Sequence, residues 1–309
     1  MTYRTRIAYL AAMTLTEGRV LASGLQFGYL ADGPESGPLA LCLHGFPDSA
    51  WTWDRLLPRL ADAGYRAVAP FLRGYAPTEI PADGLYQPGA VASDANSLHE
   101  ALGGNGDAVL IGHDWGALAS YAAAGSAPER WRRLVAAAVP PPATIAQAFF
   151  AYDQLHLSWY MFFFQSPLAE MAVAMDDLAF IDRLWADWSP GFDAPASHYV
   201  AKAKDCMRDP ANLLAALSFY RATLGTGARS PELDALEAVG GAPLPLPVLY
   251  LHGADDGCMS STFVDDGILA SFPAEGSRVE VVGDAGHFLQ IEQPDVVNDL
   301  IVSFVGDAP

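Results

Sequence analysis

The sequence predicts an α/β protein with a mostly parallel central sheet, helices on both faces and an inserted helical lid. Short, continuous apolar runs are typical of strands that are buried on both faces, as in a parallel sheet. Helix-like stretches alternate with these runs in the first third of the chain. The strand pattern is lost after Pro140-Pro141-Pro142 and returns near residue 247.

The elements follow one another in a regular order along the chain. A hairpin is expected over 17–31. Buried strands are predicted at these ranges: 38–43, 66–69, 107–111, 134–139, 247–251 and 278–282. Helices are predicted at these ranges: 53–63, 91–102, 117–125 and 294–305. Ligands bind at the carboxyl ends of the strands in such sheets, and the polar motifs of this chain lie there.

The insertion divides the predicted core into two parts. We expect a core of residues 1–139 and 231–309, with a helical lid over 140–230 between them. Eight aromatic residues lie between positions 149 and 164 of the lid. With 309 residues, 51% of them hydrophobic and 17% charged, the chain can bury a sizeable core.

The formal net charge of −19 argues against two classes of partner. An acidic surface is repelled by phosphate backbones and by anionic membranes, so neither nucleic acid nor membrane is expected as a partner. No run of 18 or more apolar residues is present, so no transmembrane helix is expected. The short apolar stretch at 7–15 is not expected to be a signal peptide, because no A-x-A cleavage site follows it.

Neither a cofactor nor a metal is expected. The cysteine count is odd and no pair has CxxC spacing: Cys42, Cys206 and Cys258. This argues against a disulfide framework or zinc site, and reduced thiols fit a cytoplasmic enzyme. An acidic cluster lacks the oxygen-rich loop of a calcium site: Asp255, Asp256, Asp265 and Asp266.

The strongest chemical signal is Gly112-His113-Asp114-Trp115-Gly116, between a predicted strand and a predicted helix. It matches the nucleophile elbow G-x-S-x-G, with Asp114 in the serine position. An aspartate is ionised near neutral pH, because its reference pKa is about 3.9, and can attack an sp³ carbon directly. The alternative interpretation is that Asp114 only caps the following helix.

Two further residues complete a predicted triad in the chain order of α/β-hydrolases. Asp256 follows the apolar strand that ends near Leu251, and His287 follows the strand that ends at Val282. His287 is predicted to be the base and Asp256 the acid that orients it, with Asp255 as the main rival.

The loop after the first core strand is predicted to form half of an oxyanion hole. His44-Gly45-Phe46-Pro47 lies there, and the backbone N–H groups of Phe46 and Trp115 are the expected donors. They would stabilise the oxyanion that forms when water attacks an ester of Asp114. The alternative interpretation of the loop is a simple turn at the end of the strand.

The chain resembles the soluble epoxide hydrolases over roughly residues 18–305. Three segments carry the resemblance: His44-Gly-Phe-Pro-Asp-Ser49, Gly112-His-Asp-Trp-Gly116 and Gly286-His-Phe-Leu-Gln-Ile-Glu292. The resemblance implies two lid tyrosines that hold the epoxide oxygen. By match to the family segments these are Tyr160, within 160–165, and Tyr220, within 219–221.

Phenol chemistry agrees with that assignment. A phenol with a pKa of about 10 is a neutral hydrogen-bond donor at pH 7 and can stabilise the charge on an opening epoxide oxygen. The predicted reaction converts an apolar epoxide to a vicinal diol through a covalent Asp114 ester, which water activated by His287 and Asp256 hydrolyses. The partners are therefore a small-molecule epoxide and water. The pocket is predicted to include Phe46, Pro47, Trp115 and Phe164.

Three other functions stay open at this point. A haloalkane dehalogenase would use the same aspartate, and the Trp115 indole could hold a halide, although that family often has Asn where this chain has Phe46. A serine esterase would need serine in place of Asp114. A non-catalytic binding module on the same fold would be expected to lack a triad member. The sequence also leaves a homodimer open.

Overall fold

A computed structural model describes residues 15–192, 196–225, 227–264 and 267–309, except the side chains of 196 and 197. Residues 1–14, which include most of the apolar amino-terminal stretch, lie outside the described residues, as do Asp265 and Asp266. Within the described ranges, no helix has the length and apolar character that a membrane span requires.

The described residues form an eight-stranded sheet with the order β1-β2-β4-β3-β5-β6-β7-β8. Its strands are β1 Thr16–Ala22, β2 Leu25–Asp32, β3 Leu39–Leu43, β4 Arg66–Pro70, β5 Ala108–His113, β6 Trp131–Ala137, β7 Val248–Gly253 and β8 Arg278–Val282. β2 is antiparallel to β1 and to β4, and every other neighbouring pair is parallel. The predicted α/β fold with a mostly parallel central sheet is therefore confirmed.

The helices fall into those that cover the sheet and those inserted between β6 and residue 231. The former are α1 Leu57–Asp62, α2 Pro88–Ala101, α3 Trp115–Ser126, α10 Pro231–Gly240, α11 Leu289–Glu292 and α12 Pro294–Val305. The latter are α4 Pro142–Ala148, α5 Tyr152–Leu157, α6 Trp159–Phe163, α7 Ala169–Trp188, α8 Ala196–Met207 and α9 Pro210–Leu224. α7 is interrupted by non-helical backbone at 175–178.

The central strands are buried along their whole length because the sheet is covered on both faces. Every residue of β3, β5 and β7 is buried, which explains why each reads as a continuous apolar run. The predicted helix at 53–63 is instead a 3-10 turn at Ala50–Trp53 followed by α1, with Pro58 in the first turn of α1. α2 begins three residues before its predicted start, because Pro88 fits the first helical position.

The inserted helices are held on the loops at the carboxyl edge of the sheet by hydrogen bonds from their side chains. The Trp185 indole N–H donates to the carbonyl of Pro47 over 2.8 Å. The Asn212 amide donates to the carbonyl of Gly74 over 2.7 Å. These contacts place the aromatic insertion directly above the loop that follows β3.

Candidate active site

The turn between β5 and α3 holds Asp114 at a positive φ of 52°, with ψ −117°. Such a backbone is strained for a residue other than glycine, and it projects the side chain away from the sheet. Glycines on either side make the turn possible. A Cβ on Gly112 would lie 2.3 Å from the carbonyl oxygen of Gly116, and one on Gly116 would lie 2.4 Å from that of Leu43.

The carboxylate of Asp114 does not cap the helix that follows it. The Asp114 side chain makes no capping hydrogen bond to α3, and its Oδ1 accepts instead from the backbone N–H of Phe46 over 2.7 Å. Gly45 is required beside it, because a Cβ there would lie 2.1 Å from the same oxygen. Trp115 opens α3, so its N–H belongs to the amino-terminal donors that a helix leaves unpaired.

The Phe46 loop is held by the neutral side chain of His44. Burial lowers the His44 pKa to about 4. Its Nδ1 donates to the carbonyl of Gly45 over 2.9 Å, so its Nε2 is free to accept the N–H of Leu72 over 3.0 Å. The two bonds fix the turn that presents the Phe46 N–H to Asp114.

The structure brings His287 between Asp256 and Asp114. His287 Nδ1 donates to Asp256 Oδ2 over 3.0 Å, which directs Nε2 toward Asp114 Oδ2 at 3.7 Å. Asp256 Oδ1 accepts the backbone N–H groups of Cys258 and Met259 over 2.7 and 2.9 Å. Asp256 is buried and Asp255 is exposed, so the structure favours Asp256 over its rival as the partner of His287.

Hydrogen bonds from the insertion, from β5 and from α11 fix the loop that carries His287. The His287 N–H donates to the carbonyl of Trp188, at the end of α7, over 3.0 Å. Its carbonyl accepts from His113 Nε2 over 2.9 Å. The Glu292 carboxylate accepts the N–H groups of Gly286 and Phe288 over 2.8 and 3.1 Å. The sequence analysis assigned no role to Trp188, which lies outside the motifs, or to Glu292, which ends the segment that begins with Gly286 and His287.

The two carboxylates determine the charge of His287. Burial alone would lower the His287 pKa, but Asp256 and Asp114 outweigh it and raise the pKa to about 10. Burial would raise the Asp256 pKa, yet His287 and the N–H donors hold it below its ordinary value. The free site therefore holds a buried imidazolium between two carboxylates at neutral pH.

Tyr160 in α6 and Tyr220 in α9 lie close together above this triad. Both are buried, and their rings are 5.4 Å apart and nearly perpendicular. Burial raises both phenol pKa values well above 10, and the charge of Asp114 raises them further. Both hydroxyls are therefore protonated donors at neutral pH. The Tyr160 hydroxyl lies 3.4 Å from Cys258 Sγ.

The segments that carry the two tyrosines are tied to each other by Arg221. Its guanidinium forms a bidentate ion pair with Glu170, with distances of 2.6 and 3.0 Å. It also donates to the carbonyl of Phe164 over 2.9 Å. Since Arg221 follows Tyr220 and Phe164 lies in the Tyr160 segment, the bond to Phe164 links the two segments directly.

Aromatic rings surround the reacting groups. Phe46 packs edge-on against Tyr220 at 5.1 Å and against Phe164 at 5.6 Å, and Trp115 packs against Tyr220 at 5.0 Å. Pro47 follows Phe46 and meets the insertion through its carbonyl. All four predicted pocket residues therefore lie at the junction of sheet and insertion. Trp188, which packs against Tyr160 at 4.9 Å, was not predicted.

Ligand-type atoms of Asp256, Cys258 and His287 lie within 4.8 Å of one another. Asp256 and His287 are already hydrogen-bonded to each other. Burial raises the Cys258 pKa well above its ordinary value, so the sulfur stays a thiol, whereas metals bind the thiolate. The cluster therefore fits a histidine–carboxylate pair with a neighbouring thiol better than a metal centre.

The family model described as alpha/beta hydrolase fold matches residues 38–294 of this chain. "Epoxide hydrolase 4" of Homo sapiens is 30% identical over 297 residues, which cover 93% of this chain and 77% of that protein. "Epoxide hydrolase A" of Mycobacterium tuberculosis is 28% identical and covers 94% of this chain and 97% of that protein.

Solved structures of epoxide hydrolases are also similar to this chain. A putative epoxide hydrolase from Klebsiella pneumoniae superposes with a TM-score of 0.80 at 25% identity, covering 94% of this chain and 97% of that one. Bacillus megaterium epoxide hydrolase in complex with an inhibitor superposes with a TM-score of 0.77 at 25% identity. That match covers 93% of this chain and 99% of that one.

The charge balance around His287 makes a direct prediction. Replacing Asp114 with Asn removes one of the two carboxylates that raise the His287 pKa, so that pKa should fall. NMR titration of the imidazole resonances measures it. Asp255→Asn is the control, since this exposed carboxylate should leave the His287 pKa unchanged. An identical His287 pKa in Asp114→Asn and the unsubstituted protein would contradict the proposed charge balance.

Proposed function

The chain belongs to the epoxide hydrolases of the α/β-hydrolase superfamily, and we propose that it converts an apolar epoxide to a vicinal diol through a covalent ester on Asp114. One observation carries the proposal: His287 lies between Asp256 and Asp114, below two buried and protonated phenols. The site thus offers a nucleophile, a base and two donors for the leaving oxygen.

In the first step Asp114 attacks an epoxide carbon. The Phe46 N–H occupies Oδ1, so Oδ2 is the oxygen that forms the new C–O bond. The C–O bond at the attacked carbon of the epoxide breaks, and its electron pair goes to the epoxide oxygen. Tyr160 and Tyr220 donate hydrogen bonds to that oxygen, which a buried phenol can do because it stays protonated. The opened oxygen takes a proton from one of the two phenols, so the product is a neutral hydroxyalkyl ester of Asp114 beside a phenolate.

In the second step water attacks the ester carbonyl. Ester formation removes the Asp114 charge, so the His287 pKa falls, and the imidazolium gives its proton to the phenolate and becomes a neutral base. It then takes a proton from water, while Asp256 orients it and stabilises its cation. The ester carbonyl is Oδ1, so the Phe46 N–H stabilises the oxyanion. One such donor is typically worth about 2.7–4 kcal/mol. Collapse of the oxyanion expels the diol oxygen, which takes the proton of the new carboxyl group, so the diol leaves and the carboxylate and the His287 cation are restored.

We propose that residues 140–230 act as a lid on a core of residues 1–139 and 231–309. The helices α4 to α9 lie between β6 and β7 in the chain, and α6 and α9 carry the two phenols. The lid excludes bulk water from a pocket with aromatic walls. An apolar epoxide fits this pocket, because few of the residues that line it could hydrogen-bond to a charged group or pair with one.

A cytoplasmic location is also part of the proposal. Cys42, Cys206 and Cys258 are free thiols in the structure, and free thiols are typical of a reducing compartment. Each is buried, so the three thiols also serve as small apolar residues of the core.

The two phenols distinguish this function from haloalkane dehalogenation. A leaving halide needs no proton, so a dehalogenase would have no use for a second buried phenol beside the first. We expect the enzyme to form a diol from styrene oxide, which chromatography measures. We expect no bromide release from 1-bromobutane under the same conditions. Bromide release that exceeded diol formation would instead favour the dehalogenase.

The covalent step is tested with His287→Gln. Asp114 alone should open the epoxide, and without a base the ester should persist. Intact-protein mass spectrometry after addition of styrene oxide should show an adduct of one epoxide mass, and peptide mapping should locate it on Asp114. The double variant Asp114→Asn/His287→Gln is the control and should stay unmodified. A wild-type rate of diol formation in His287→Gln would refute the assigned base.

The phenols are tested separately by change to Phe, which keeps each ring and removes the donor. Tyr160→Phe and Tyr220→Phe should each slow ester formation, by about tenfold if the lost hydrogen bond is worth about 1.4 kcal/mol in the transition state. The double change should nearly abolish it. Rapid-quench measurement of ester formation gives the rate constants. The assignment fails if the double variant alkylates at the wild-type rate.

A further inference from the structure

The short lid helix α5 buries one polar side chain that the proposed chemistry does not use. Gln154 is 1% exposed, whereas its neighbour Tyr152 is 82% exposed. Burying an amide costs free energy unless the amide is hydrogen-bonded. The hydrogen-bond partners of Gln154 therefore show which part of the protein holds this side chain.

Both ends of the Gln154 amide bind the loop that carries Asp256. Its Nε2 donates to the carbonyl of Cys258 over 2.9 Å and to Ser158 Oγ over 2.8 Å. Its Oε1 accepts the N–H of Ser260 over 3.0 Å. A carbonyl partner on one side and an N–H partner on the other allow only this orientation of the amide. The lid is thereby fastened to residues 256–260, the acid loop, by two complementary bonds.

The acid loop holds groups that act in both proposed steps. The N–H groups of Cys258 and Met259 donate to Asp256 Oδ1, which keeps Oδ2 directed at His287. The thiol of Cys258 lies 3.4 Å from the Tyr160 hydroxyl. A lid side chain that fixes the backbone at 258 and 260 therefore fixes the donors of Asp256 as well.

We propose that Gln154 is a positioning residue that locks the acid loop to the lid, so that the lid and the triad acid are aligned together. The proposal rests on the proposed function. It makes the second step, hydrolysis of the ester, depend on a lid residue that does not touch the substrate.

The lid tyrosine should depend much less on Gln154. Tyr160 is also held by ring packing against Trp188 at 4.9 Å and Phe164 at 5.6 Å, as well as against Tyr220. The Asp256 carboxylate, in contrast, takes its Oδ1 donors from the peptides between the two contacts of Gln154. Loss of Gln154 should consequently affect hydrolysis more than ester formation, which is the reverse of the effect expected for Tyr160→Phe.

The test is Gln154→Met, which keeps the length of the side chain and removes both hydrogen bonds. Rapid-quench single turnover with styrene oxide should give a hydrolysis rate constant about tenfold to a hundredfold lower, the range that small misplacement of catalytic groups produces. Ester formation should change little, so the ester should accumulate on Asp114 in intact-protein mass spectra. Gln147→Met in α4 is the matched control, since Gln147 is exposed and should leave both rate constants unchanged.

Amide hydrogen exchange provides a measurement that does not depend on turnover. The amide of Ser260 should exchange faster in Gln154→Met than in the unsubstituted protein, because its acceptor is lost. If Gln154→Met does not fold, Gln154→Glu is the second test variant. It keeps an acceptor for Ser260 but sets a carboxylate against the Cys258 carbonyl, so hydrolysis should again slow.

The outcomes separate the two proposals. Unchanged hydrolysis and unchanged Ser260 exchange in Gln154→Met would overturn the positioning role, as would equal slowing of both chemical steps. If the unsubstituted enzyme forms no ester with epoxides, the proposed function fails. The exchange experiment then still reports whether Gln154 holds the acid loop.

Discussion

The buried ion pair of His287 with Asp256 and Asp114 is the interaction on which the rest of the site depends. Two carboxylates in an aromatic pocket would be strongly destabilising without a cation and several hydrogen bonds. The imidazolium supplies the cation, and three backbone N–H groups supply the bonds, those of Phe46, Cys258 and Met259. The loops after β3, β7 and β8 are each shaped to bring one of these groups to the carboxyl edge of the sheet.

That pair also connects the two proposed chemical steps. While Asp114 is charged, His287 is held as a cation that cannot accept a proton, and the carboxylate is the reactive group. Once Asp114 is esterified its charge is gone, and only Asp256 still favours the cation. The histidine then becomes a base at the point where a base is needed. Burial makes this change large, because each charge acts through a medium of low dielectric.

Much of this could be predicted from the sequence, because the fold and the triad rest on local patterns. Buried strands read as apolar runs, and Asp114 lies in a strand–turn–helix motif with glycines where a Cβ would clash. Spacing alone could not choose between Asp255 and Asp256, since that choice depends on which side chain the turn buries. Gln154 and Trp188 were not predicted as site residues, for a different reason. Gln154 meets Cys258 across 104 positions of the chain, and no periodicity marks such a contact.

The hydrogen bond from Phe46 to Asp114 shows how one contact can serve both proposed steps. In the free enzyme it holds Oδ1 and leaves Oδ2 to attack. After alkylation Oδ1 is the ester carbonyl, and the same N–H faces the oxygen on which negative charge develops when water attacks. The bond strengthens as that charge grows, because a donor binds an oxyanion more tightly than a carbonyl. The donor is a backbone N–H in a loop that His44 already fixes, so little reorganisation accompanies either step.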